Sequence, residues 1–124
     1  MTLIVAAATY LERWDQMTDR NISTCTSLDE VRSHIDRIDR QIVSCLAERG
    51  AYVKQAAKFK KSTDDVRAPQ RVEQVIGKVR TFAAQLGANA EITEQVYRAM
   101  IAGFVNAELA EHAAIQNSLV DRPR

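Results

Sequence analysis

"SLDEVRSHIDRIDRQIVSCLAERGAYVKQAAKFK", residues 27–60, decides the fold. It opens on a capping-box pattern, with Ser27 as N-cap and Glu30 placed three residues on to return the hydrogen bond. Leu28, Val31, Ile35, Ile38, Ile42, Leu46, Val53 and Ala56 or Ala57 then continue one apolar stripe at spacings of three, four and seven. Gly50 costs about 1 kcal/mol relative to alanine but leaves the phase of the stripe intact. The spacing predicts one helix over 28–60, a rod of about 50 Å at a rise of 1.5 Å per residue. A chain of 124 residues cannot cover such a rod with its own remaining mass. A second copy, interlocking its long helix with the first by two-fold packing, is the expected remedy.

Outward from that stretch the pattern stays helical. "KSTDDVRAP", 61–69, reads as a turn, with Pro69 suited to the first turn of a second helix carried on Val72, Val75, Ile76, Val79, Phe82, Ala83 and Leu86. Gly87 is its expected C-terminal stop. A third helix is expected from about Ala90 to about Leu119, on Ile92, Val96, Tyr97, Met100, Ile101, Phe104, Val105, Leu109 and Ile115. No stretch alternates apolar and polar residues over the length of a strand. The expected fold is therefore all-α: a three-helix chain with one long N-terminal helix, forming an intertwined homodimer. Its expected domain is 26–117, preceded by an N-terminal extension over 1–25 and followed by a loose C-terminal tail over 118–124. The extension, disordered or not, is open to reading as a frayed helix, a docking arm or the result of an upstream choice of start codon.

Composition narrows the partners. A hydrophobic content of 46% with 27% charged residues suits a soluble globular protein, and a formal charge of +1 gives no reason to expect nucleic acid. The apolar opening "MTLIVAAATYLERW" lacks a basic leader, is broken by Glu12 and Arg13, and falls short of the roughly 20 residues that cross a bilayer, so no membrane association is expected. Cys25 and Cys45 match neither a metal-ligand spacing nor a disulfide scaffold; free thiols and a reducing cytoplasm are the expectation.

Polar residues within the apolar stripes point to a site. At about 100° per residue, Arg32, Asp39, Arg49 and Lys60 all fall within about 60° of Ile35, and Glu108 falls almost on the centre of the third helix's stripe, between Ile101 and Phe104. A lysine or arginine beside a stripe often only lays its stem over apolar surface. A glutamate has no such stem, and burying it unpaired costs several kcal/mol. Several cations and a carboxyl at one apolar interface suggest a pocket for a small anion, with charge compensated by charge. Arg49 and Lys60, three turns and about 17 Å apart, can close on one ligand from two sides. Arg32, about 42 Å from Lys60 along the rod, can reach that ligand only from the partner subunit of an antiparallel dimer.

"VRSHIDRIDRQIVSCLAERGAYVKQAAKFK" resembles the first helix of the all-helical chorismate mutase family: an arginine, Ile-Asp-x-Ile-Asp, an aliphatic run, a second arginine and a later lysine. The resemblance extends over about residues 27–115. It implies that Arg32 comes across a homodimer interface, that Arg49 and Arg71 bind the carboxylates of a chorismate-like dianion, and that Lys60 and Glu108 donate to the ether oxygen of the enolpyruvyl group. The reaction so implied is the pericyclic conversion of chorismate to prephenate. It needs no metal, nucleophile or cofactor, only a held conformer and stabilisation of the charge that grows on the ether oxygen.

Two departures from the family pattern stand out. Ala68 and Val72 occupy places where bacterial mutases carry acidic residues toward the ring hydroxyl, and here the chain is similar to the isochorismate pyruvate lyases, which give salicylate and pyruvate. "KFK" and "APQRV" also resemble that branch. Glu108 stands where many relatives have glutamine; it would have to be protonated to donate, so turnover is expected to fall with rising pH. Mutase activity is the first expectation from the sequence, lyase activity the second, and a non-catalytic helical dimerisation module the third.

Overall fold

The computed structural model describes residues 22–120. Among them are four helices and no strand: α1 (Leu28–Ala57), α2 (Thr63–Arg67), α3 (Pro69–Leu86) and α4 (Ala90–Val120). The expected all-α architecture is the one observed. Most of the N-terminal extension, residues 1–21, and the end of the tail, 121–124, lie outside the described residues; α4 itself runs three residues past 117.

Side chains that satisfy the first amide groups explain where α1 begins. Ser27, with extended backbone, accepts a hydrogen bond at Oγ from the Glu30 N–H at 3.1 Å. The Glu30 carboxylate does not return to Ser27 as the capping-box pattern expects. Its Oε2 accepts from Thr26 instead, from the N–H at 3.0 Å and from Oγ1 at 3.2 Å, and these bonds hold its pKa below the usual glutamate value. The helix ends earlier than the stripe predicts. Lys58, Phe59 and Lys60 donate to Gln55, Ala56 and Ala57, each three residues back, so the last turn tightens and Lys60 leaves the cylinder. The rod is 30 residues and about 45 Å long.

The stretch expected to be a turn contains α2. Its cause was already in the sequence: Ser62-x-x-Asp65 repeats the cap of α1, with Ser62 Oγ accepting from the Asp65 N–H at 3.2 Å and Asp65 Oδ2 accepting from the Lys61 N–H at 3.0 Å. Val66 anchors this short helix in the core. Ala68 then closes α2 and opens α3 in one residue, at φ 36° and ψ 61°, a left-handed conformation rare for a residue with a Cβ. Pro69 follows at N1 of α3, and Gly87, at φ 73°, ends it as expected.

α3 and α4 form a hairpin. Its core is Ile76, Val79 and Ala83, joined by Val66. On its outer side Arg98 grips both oxygens of Glu73, at 2.9 and 3.2 Å, while Arg80 binds Glu91 at 2.8 Å and Glu94 at 3.1 Å. The partner guanidiniums hold Glu73 and Glu91 below the usual carboxylate range.

α1 leans on this hairpin only toward its C-terminal end. Gly50 makes that approach possible: a Cβ there would meet the Phe104 ring at 3.0 Å. No residue of α1 is buried, and Leu28 (61%), Ile35 (49%) and Ile42 (52%) stand open to solvent. Such an apolar face, running most of the length of the rod, is the surface for which the sequence demanded a partner.

Candidate active site

Where the end of α1, the short α2 and the α3/α4 hairpin meet, a cavity of about 370 Å³ opens. Arg49 comes to it from α1, Lys60 from the turn after that helix, Arg67 from the last residue of α2 and Arg71 from the first turn of α3. α4 contributes Glu108, and Val72, Val75, Ile101 and Val105 supply apolar wall. Four cations against one carboxylate leave this small space three charges positive, complementary to a small polyanion.

Glu108 is buried, as its phase on the α4 stripe predicts, and is 8% exposed. Its charge is met: Lys60 Nζ donates to Glu108 Oε2 at 3.0 Å. The pair ties the turn after α1 to α4. Among the described residues no buried side-chain polar atom lacks a partner.

Arg49 is held differently. Its guanidinium carbon lies 5.7 Å from the centroid of the Phe104 ring and 5.9 Å from that of Tyr97, within cation–π range. These rings orient the guanidinium, and among the described residues none accepts a hydrogen bond from it. In the sequence both aromatics read only as stripe residues of the third helix; their second task follows from the close approach at Gly50.

Arg49, Lys60, Arg71 and Glu108 are thus brought to one cavity, and Arg32 is not. It lies exposed near the start of α1, 17 residues before Arg49, or about 26 Å along the helix. Arg67 was missed by the sequence reading. Its one signal was its place four residues before Arg71, and that spacing carries no facial meaning across the break at Ala68. The left-handed residue reverses the chain between the two arginines, so that both line the same space.

Residues 31–109 match the family described as chorismate mutase type II, from one residue before Arg32 to one after Glu108. This chain belongs to that family. A similar protein, the isochorismate pyruvate lyase of Pseudomonas aeruginosa, is 34% identical to it over 85 residues, which are 68% of this chain and 84% of that one. For a chorismate mutase type II chain, the cationic cavity at the end of the long helix is the natural candidate for the active site. The matched span holds every residue that lines it.

Proposed function

We propose that this chain is an enzyme acting on a chorismate-type dianion, and that it eliminates pyruvate from isochorismate in preference to rearranging chorismate to prephenate. The two reactions share their demanding step, cleavage of the ether bond between the ring and the enolpyruvyl oxygen. Both leave negative charge growing on that oxygen. In the elimination, the hydrogen lost as the ring becomes aromatic equals the one gained as the enolpyruvyl methylene becomes the methyl of pyruvate. The products salicylate and pyruvate therefore balance without a co-reactant.

The cavity is suited to that step. Arg49 and Arg71 would hold the two carboxylates, and Lys60, moving from Glu108 to the ether oxygen, would supply the positive donor where charge develops. Rigid placement by a helix end and two aromatic rings keeps the reorganisation small. Arg32 would complete the site from a second copy, whose long helix would also cover the open face of α1.

One observation carries the preference for elimination: Ala68 and Val72 line the cavity with hydrocarbon, leaving the ring side without a carboxylate acceptor from α3. The relative named for lyase activity points the same way. The sequence reading placed rearrangement first and elimination second; on the support of these two observations we take them in the other order. Offered isochorismate and chorismate separately, the purified protein should release salicylate and pyruvate faster from the first than prephenate from the second. Faster prephenate formation would restore the mutase reading, and turnover of neither would end both.

Glu108 has its own test. As a donor to the ether oxygen it should be replaceable by an amide, so Glu108→Gln should keep kcat/KM while Glu108→Ala lowers it. Full kcat/KM in Glu108→Ala would remove Glu108 from the chemistry and leave it the task of holding Lys60.

A further inference from the structure

At the other end of α1, far from the cavity, three side chains of different donor type meet. Cys25, Glu30 and His34 place a thiol, a carboxylate oxygen and an imidazole nitrogen all within 4.8 Å of one another. We propose that Cys25, Glu30 and His34 form a binding site for a borderline-soft divalent cation of the zinc type.

The donor set is what such an ion selects. Thiolate, imidazole and carboxylate together suit zinc, whereas magnesium and calcium take oxygen alone. Bond lengths of about 2.0–2.3 Å set tetrahedral ligand atoms about 3.3–3.8 Å apart, so the three donors need to close by only about 1 Å. Three protein ligands leave a position for water or a further group.

Local structure favours the arrangement. Glu30 and His34 are one turn apart and share a face of α1, and the chain before Ser27 returns alongside that face to bring Cys25 to them. His34 and Cys25 are half-buried, while every other residue from Leu28 to Cys45 is exposed. Glu30 is already fixed: its Oε2 accepts both bonds from Thr26, the kind of outer hydrogen bonding that orients a metal-ligating carboxylate. Those bonds also keep it ionised, its pKa being below the usual value. The thiol is committed only to a long contact with the Ser23 carbonyl, 3.6 Å.

The site also lies off the face that the expected dimer would cover. At about 100° per residue Glu30 and His34 lie about 100–140° away from Ile35, off the apolar stripe that a partner would cover. The spacing of the two cysteines gave no hint of it, because Cys45 takes no part and the other two donors are set by the fold of the cap.

Titration of the purified full chain with cobalt(II) under a non-thiol reductant tests the site through its colour. One equivalent per chain should produce the near-ultraviolet thiolate-to-cobalt band, and zinc should displace it. Cys25→Ser should abolish the band. His34→Ala and Glu30→Gln, the latter keeping an acceptor for Thr26, should each weaken binding about tenfold or more. Cys45→Ser should change nothing. Absence of the band in the unmodified chain, or its survival in Cys25→Ser, would overturn the proposal.

Discussion

Lys60→Ala should reduce turnover by about a hundredfold to a thousandfold or more, the scale on which loss of a single donor to a developing oxyanion is felt. Two effects are mixed in that variant and must be separated. Lys60 is the positive group nearest Glu108, at 3.0 Å, and its removal strands a carboxylate that is 8% exposed. Breaking a buried pair by deleting one partner costs about 3–5 kcal/mol when both are buried, and less here because Lys60 is 25% exposed. The double variant Lys60→Ala/Glu108→Gln removes the stranded charge. Its thermal stability should return toward that of the unmodified protein while its turnover does not. Recovery of turnover in the double variant would show that Lys60 serves only to neutralise Glu108. Full activity in the single variant would remove Lys60 from the chemistry.

Complementation between two inactive variants is the second large effect. If each site draws Arg49, Lys60 and Arg71 from one chain and Arg32 from its partner, then Arg32→Ala and Lys60→Ala should each be inactive alone. Mixed in equal amounts and allowed to exchange subunits, half the dimers carry one of each. In those, the chain with intact Lys60 receives an intact Arg32, and its partner's site lacks both. About a quarter of the unmodified activity should reappear. No recovery, with exchange shown by mass-tagged subunits, would mean that Arg32 does not act across an interface.

The features legible in sequence were those set by local chemistry. Ser27, Pro69 and Gly87 mark helix ends through backbone groups within a few residues, and the stripes of α1, α3 and α4 are long enough for their phase to be read. Glu108 was placed in the core by that phase alone. The features missed were short or tertiary. α2 has five residues, too few for a period, although Ser62 and Asp65 announced its start by the same spacing that marked the start of α1 at Ser27. The end of α1 was set three residues late because a stripe has no way to signal that the last turn tightens. Arg67 joined the cavity through the backbone reversal at Ala68, which no residue type there advertises.

That reversal bears on how the two chemistries of the family could exchange. Ala68 holds a left-handed backbone at a cost of about 1–2 kcal/mol, and it does so at the cavity wall where an acceptor for a ring hydroxyl is lacking. Aspartate and asparagine tolerate that backbone better than alanine and bring the oxygen that the wall lacks. At this position a gain of new specificity and a relief of strain lie in the same direction. A chain with this cavity could therefore drift toward acceptance of a different ring hydroxyl with no loss of fold to restrain it.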